Sequence, residues 1–338
     1  MKIAFFLPDL YGGGAERVMV LLANELSKKH KVYLILVRKF GDLFALVDDR
    51  VEIVILNQKS VYRSLFGFYK VLKKIKPDIV ISALDTANFL NIVVTKLLKI
   101  KNIITVHNFL SKKYENNIIM KLLIKFFKYA DKVISVSYGV QKDLLKYNIK
   151  SDVIYNPVLE KLHFSRKDKI IVSIGRLERV KGFKILIDAF NKLDKKEYKL
   201  YILGQGSLEK ELKEYAKNNK NIIFTGFTNP DKYLKKASLF VSSSFSESFG
   251  LTIVESLGYG VDVVATCTDG AREILENGKY GLLVPVGNSQ ALYKAIKWRL
   301  KNLNDQEYLH QRAEDFLISK ITAEYEKKII EVLNDNFN

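Results

Sequence analysis

A chain of 338 residues is long enough for two domains with separate cores, and its 48% hydrophobic content excludes a disordered protein. The net charge of +18 is uneven: residues 1–160 hold 26 basic against 14 acidic side chains, a balance suited to anionic lipid, phosphorylated substrates or nucleic acid. The single cysteine, Cys267, excludes an intramolecular disulfide and a paired-cysteine zinc site, and fits a reducing cytoplasm.

In chain order, apolar runs at 2–7, 31–37, 51–56, 78–81, 103–106 and 133–136 read as strands. Helices are expected between them. Residues 17–28 place Val18, Leu21, Leu22 and Leu26 on one face, and 61–75 is a basic helix. Residues 112–132 bring Ile118, Ile119, Leu122, Leu123, Phe126 and Phe127 to helical spacing between Lys121, Lys125 and Lys128. Such a helix lies either in a membrane interface or against a core with its lysines in water. Pro157 ends the first alternation, and the polar segment 160–169 reads as a linker. A second alternation follows, with strands at 170–174, 200–203, 222–224, 239–241 and 261–265, and helices at 182–192, 207–218 and from 251 to the glycines at 258 and 260. An amphipathic helix over 319–333 closes the chain. The fold class is α/β, with two doubly wound parallel-sheet (Rossmann-like) domains whose strand ends face one cleft. Their limits are 1–158 and 159–318. No stretch of about 18 uncharged apolar residues occurs, so no spanning helix is expected, and residues 1–8 are too short for a signal peptide's core.

Several loops carry chemistry. Gly12-Gly13-Gly14-Ala15-Glu16 follows the first strand and opens a helix. Glycines there let backbone approach a ligand, and the helix start favours phosphate. The G-x-G-x-x-G spacing is absent and the second strand ends in Arg38-Lys39 rather than an acid, which argues against a dehydrogenase. On this segment alone, a glycine turn without a ligand serves equally well. Arg176 and Lys181, in Gly175-Arg176-Leu177-Glu178-Arg179-Val180-Lys181-Gly182, can both reach one diphosphate from a strand end and a helix start. A solvated basic loop is the plainer meaning. Glu247 and Glu255 stand eight positions apart across a loop and a helix start, with Phe249, Gly250 and Leu251 offering backbone N–H groups between them. His107 ends an apolar strand; His30, His163 and His310 read as surface residues. Asp85 follows another strand and either binds a substrate or caps the next helix, with capping the plainer role.

The run 246–255 resembles the donor-site motif of retaining glycosyltransferases of family 4, two Glu separated by seven residues, and the resemblance spans nearly the whole chain. It implies the GT-B fold, with the terminal helix 319–338 crossing back to the first domain. It also implies that Glu255 holds the ribose of a nucleotide sugar, Glu247 contacts the transferred sugar, and Arg176 and Lys181 neutralise the leaving diphosphate. By the same resemblance, Gly13 and Gly14 lie beside the donor phosphates, His107 near the reaction centre, and Gly226 and Phe227 against the base. Glu16 and Asp85 are then acceptor-side residues. No Asp-x-Asp pair occurs, so a metal-free reaction without a cofactor is expected. The segment 270–273 is similar to transferases using UDP-N-acetylhexosamines or UDP-hexoses. The implied acceptor is a glycan or a polyprenyl-diphosphate-linked oligosaccharide in bacterial surface-glycan assembly. That acceptor would place the protein in the cytoplasm, peripheral on an anionic membrane. Two residues depart from the family pattern: Asp262 stands where relatives commonly have Pro, and Ser248 where many have Gly. A basic nucleic-acid-binding protein is the runner-up, although no recognisable nucleic-acid module supports it.

Overall fold

Runs such as Lys2–Leu7 and Lys31–Leu36, buried at every position but the first, are the signature of strands covered on both faces, and parallel sheet is what they form. The computed structural model describes residues 1–193 and 197–335, in two units.

The first unit comprises Met1–Val158 together with Ile318–Asn338. Its strands are β1 (Lys2–Leu7), β2 (Lys31–Leu36), β3 (Glu52–Ile55), β4 (Ile79–Ala83), β5 (Lys101–Val106), β6 (Lys132–Ser135) and β7 (Asp152–Val153). They lie in the order β3-β2-β1-β4-β5-β6-β7, all parallel, so the winding reverses between β1 and β4. The helix Ile318–Asn334 packs on the helix Gly14–Leu26 and on β5, burying Ile321, Tyr325, Ile329 and Val332. Its rim carries ion pairs from Glu326 to Lys29 at 2.9 Å and from Lys328 to Asp152 at 2.6 Å. Residues 336–338 of the helix expected at 319–338 lie outside the described residues.

The second unit spans Leu159–Leu317. Strands β8 (Ile170–Ile174), β9 (Lys199–Leu203), β10 (Ile222–Gly226), β11 (Leu239–Ser242), β12 (Asp262–Thr266) and β13 (Leu282–Val284) form a parallel sheet ordered β10-β9-β8-β11-β12-β13. Its winding reverses between β8 and β11. Ile171, Ile202, Val241 and Val264 meet Leu186, Ile187, Leu292 and Ile296 of the covering helices in one core.

Three expectations are corrected. The helix over 112–132 is broken into Leu110–Lys113, Ile118–Ile124 and a 3₁₀ turn at Lys125–Tyr129. Asn117 starts the second piece as its cap, its side chain accepting from Met120 N at 3.0 Å. The segment 160–169 is no free linker, because His163 N donates to Gly258 O at 2.8 Å, Ser165 N to Gln306 Oε1 at 2.7 Å and Arg166 N to Lys235 O at 2.7 Å. His310 is buried and bonds the His163 carbonyl at 2.9 Å, while His30 meets Glu326 at 2.8 Å. Strands β7 and β13, of two and three residues, are too short to show a periodicity. Asp262 is fully buried and clasps Asn304 through N at 3.0 Å and Nδ2 at 2.9 Å, with Arg299 at 3.5 Å. Burial pushes its carboxyl up, against the opposing charges of Lys167 and Arg299.

Candidate active site

In doubly wound sheets, ligands collect at the carboxyl ends of the strands where the winding reverses. In the second unit that place is the end of β8 and β11. The turn after β8 closes through a 3₁₀ turn, Arg179–Lys181, and Gly182 at φ +62°. A Cβ added at Gly182 would lie 2.2 Å from the Ser243 carbonyl oxygen, so glycine alone lets this loop meet the end of β11. Phe245 N donates to Val180 O at 2.7 Å and Ser243 Oγ to Lys181 O at 2.9 Å, locking the two loops. Lys181 thereby reaches Glu247, whose Oε1 also accepts from Ser244 Oγ at 2.8 Å. Both side chains are largely buried, at 21% and 15% exposure. The Lys181 stem lies against Gly175, and Arg176 stands exposed on the same turn.

Beyond Glu247, Phe249 is buried edge-on to Phe316, and Gly250 caps the helix Leu251–Gly258. The first bond within that helix runs from Ile253 N to Gly250 O at 3.0 Å. The N–H groups of Gly250, Leu251 and Thr252 therefore precede the helical ladder, at the positive end of the helix. Glu255, 7% exposed, lies in its second turn. At the end of β10, Gly226 O accepts from Gly204 N at 2.9 Å, and the Phe227 ring is 79% exposed.

In the first unit the reversal falls between β1 and β4. Gly13 caps the helix Gly14–Leu26, and the Glu16 carboxylate folds back over it, at the positive helix end. Asp85 opens the helix Asp85–Leu98 without capping it, which corrects the plainer sequence reading. Its carboxylate instead accepts from Lys113 Nζ and Tyr114 OH, each at 2.6 Å. Burial and then the Asp85 charge push the Tyr114 phenol up to about 12. For Lys113, burial pulls the ammonium down, yet the pairing with Asp85 leaves it raised. His107 follows β5, its Nε2 3.0 Å from Thr105 Oγ1. The Thr105 hydroxyl donates to Ser82 O at 3.0 Å, so it accepts from the ring and sets the Nε2–H tautomer. Burial lowers the imidazole to about 4, with Asp85 partly opposing, and the ring is neutral at pH 7.

The structure thus bonds Lys181 to Glu247, sets Arg176 on the same turn, and puts Asp85 and His107 at neighbouring strand ends. Lys113, Tyr114, Thr105, Ser243 and Ser244 escaped the sequence reading. The three serines at 242–244, ending a strand, were the available signal for the last two. Ile118, Ile119, Leu122 and Phe126 are exposed beside Lys125 and Lys128, whereas Phe127 and Ile124 are buried, so the apolar spacing served both core and surface. Among the described residues, no group of three or more His, Cys, Asp or Glu is placed to hold a metal ion, and no helix is long and apolar enough to cross a membrane.

Two family profiles cover almost the whole chain. Glycosyltransferase Family 4 matches residues 12–159, and glycosyl transferases group 1 matches residues 158–316. A Campylobacter jejuni α-1,4-N-acetyl-D-galactosaminyltransferase, named for the acceptor GalNAc-α-(1→4)-GalNAc-α-(1→3)-diNAcBac-PP-undecaprenol, is 31% identical over 99% of both chains. A second enzyme of that organism, an N-acetylgalactosamine-N,N'-diacetylbacillosaminyl-diphospho-undecaprenol 4-α-N-acetylgalactosaminyltransferase, is 30% identical over 89% of this chain and 90% of its own. Among solved structures, Anabaena HepE in complex with UDP-glucose superposes with a TM-score of 0.80 at 20% identity, covering 99% of this chain and all of that one.

Proposed function

Since the chain belongs to the family 4, group 1 glycosyltransferases and has their GT-B fold, we propose that it moves a sugar from a UDP-sugar to a lipid-linked glycan. The donor class is UDP-N-acetylhexosamine or UDP-hexose, and the acceptor a polyprenyl-diphosphate-linked oligosaccharide of bacterial surface-glycan or glycoprotein-glycan assembly. The acceptors of the two Campylobacter jejuni relatives support the acceptor class, and the UDP-glucose complex of a structural neighbour supports the nucleotide.

The observation that carries the reading is the Lys181–Glu247 pair where the second sheet reverses, flanked by Arg176 and the leading N–H groups of Leu251–Gly258. Breaking a glycosyl–phosphate bond develops negative charge on the leaving diphosphate. Fixed donors aimed at that charge lower the barrier. Arg176 offers a planar fork and Lys181 a point charge steadied by Glu247, which performs a metal's task with side chains. Glu255 takes the ribose hydroxyls, Phe227 and Gly226 the base, and Glu247 the hydroxyls of the sugar. Gly13 and Gly14 let the first helix start approach phosphate, and neutral His107 serves as a hydrogen-bonding group near the sugar. The acceptor oxygen forms its bond to the anomeric carbon on the face where the phosphate oxygen departs. That oxygen leaves with the bond's electron pair and takes the acceptor's proton, so configuration is retained. Asp85 and Glu16 bind on the acceptor side. The exposed Ile118, Ile119, Leu122 and Phe126, with Lys121, Lys125 and Lys128 around them, attach the protein to an anionic leaflet on its cytoplasmic side.

The test incubates the protein and EDTA with each UDP-sugar and an N-acetylgalactosamine-terminated undecaprenyl-diphosphate acceptor, reading UDP release and the product's anomeric configuration by NMR. An α product formed in EDTA is expected. Failure to bind UDP, a β product, or activity abolished by EDTA overturns the corresponding part.

A further inference from the structure

The loops after β1 and β2 carry two aromatic rings that the reaction scheme above leaves unused. Tyr11 and Phe40 stack with centroids 5.5 Å apart and planes within 7° of parallel. They nevertheless stay 68% and 54% exposed, so core packing does not account for them.

Their loops are fastened to each other. Leu10 N donates to Phe40 O at 2.9 Å, Arg38 N to Pro8 O at 3.0 Å and Leu43 N to Leu10 O at 3.2 Å. Buried Asp9 pairs with Arg38 and accepts from Tyr11 N at 3.3 Å. Gly41, at φ +117°, approaches so closely that a Cβ would lie 1.9 Å from Leu10 O. The result is a rigid, solvent-facing aromatic surface directly before Gly12 and the start of the helix Gly14–Leu26.

We infer that Tyr11 and Phe40 form a stacking platform for a saccharide ring of the acceptor, an inference that rests on the glycan acceptor proposed above. A pyranose has one face of C–H groups, whose slightly positive hydrogens suit the negative face of an aromatic ring. Its hydroxyls point outward from the ring edge, toward polar groups such as the half-exposed Arg38 guanidinium, which pairs with Asp9 in the same two loops. Because the platform is already fixed, binding orders few protein groups, which limits the entropic cost of a small, shape-selective contact. The platform lies beside the Gly12–Gly14 turn at the end of β1, where this sheet's winding reverses.

The experiment uses the full chain and two probes, methyl α-GalNAc-(1→4)-α-GalNAc and maltotriose, by saturation-transfer NMR, with UDP calorimetry and melting curves in parallel. Wild type should transfer saturation mainly to the C–H face of at least one probe. Tyr11→Ala and Phe40→Ala should each weaken that binding about three- to tenfold, the range for one aromatic contact, with UDP affinity and melting unchanged. Tyr11→Phe should bind as wild type, and Tyr11→Leu, which keeps apolar area without a π face, should bind as Tyr11→Ala. The inference is overturned if neither probe binds wild type or if the alanine variants bind like wild type. It also falls if Tyr11→Leu binds fully, or if the variants lose anionic-vesicle binding in place of saccharide. Wild type that stacks a probe yet releases UDP from no UDP-sugar sinks the transferase reading alone.

Discussion

Lys181 and Glu247 each give the other its position, so removing either disturbs more than one charge. Glu255 is different: it sits in the second turn of its helix, and its proposed partner is the nucleotide ribose. A hydrogen bond to a charged group contributes about 1.5–3 kcal/mol. Glu255→Ala should therefore weaken UDP-sugar binding roughly 10- to 100-fold by calorimetry, and Glu247→Ala should lower turnover more than UDP affinity. Unchanged nucleotide binding in both variants would remove this assignment. His107 gives a pH prediction. Its folded-state value of about 4 lies below the ordinary value of about 6.5, so in that window the unfolded chain binds more protons. This contribution is complete above about pH 6.5 and is lost as pH falls toward 4, on the order of 2–3 kcal/mol. Urea titrations of wild type and His107→Gln should diverge at neutral pH and converge at about pH 4; parallel pH curves would show that His107 is not held neutral.

At the level of elements, strands were legible and irregular helices were not. A strand buried on both faces leaves a nearly continuous apolar run, which β1 and β2 display after their first residue and β4 and β8 display with one serine each. The second piece starts where the Asn117 side chain accepts from Met120 N, and helical spacing of apolar residues continues across the break after Lys113. The same limit hid the pairing of Asp85 with Lys113 and Tyr114, which joins residues 28 and 29 positions apart. Arg176, Lys181 and Glu247 stood out more readily because each lies in a loop that follows a strand. The broken segment yields its own prediction. Ile118, Ile119, Leu122 and Phe126 are exposed, and each lysine near an anionic leaflet contributes about 1 kcal/mol within a Debye length. The protein should sediment with anionic vesicles, be released by high salt and ignore neutral ones. Charge reversal at Lys121, Lys125 and Lys128 should free it with UDP binding intact. Wild type that stays in the supernatant with anionic vesicles at low salt would leave these side chains without a membrane role.

On the scale of the molecule, the second unit is one continuous stretch and the first is not. Leu159 and Leu317 pair as a parallel bridge where the chain enters and leaves the second unit, and Leu159 N donates to Phe316 O at 3.1 Å. The helix Ile318–Asn334 then buries Ile321, Tyr325, Ile329 and Val332 in the first unit. Four such side chains, at about 1.5–3 kcal/mol each, amount to most of a typical domain's net stability. A fragment of residues 159–317 should melt cooperatively, while 1–158 should bind a hydrophobic dye and aggregate; a cooperatively folded 1–158 would refute this. On the ribosome, the first unit's opening residues must wait for the whole of Leu159–Leu317 to be made before their closing helix exists. At about 5–20 residues per second the wait is roughly 10–30 s. For that interval the half with most of the positive charge presents an uncovered apolar face to chaperones, so nonsense mutations near the 3′ end of the message would be felt in the first domain built.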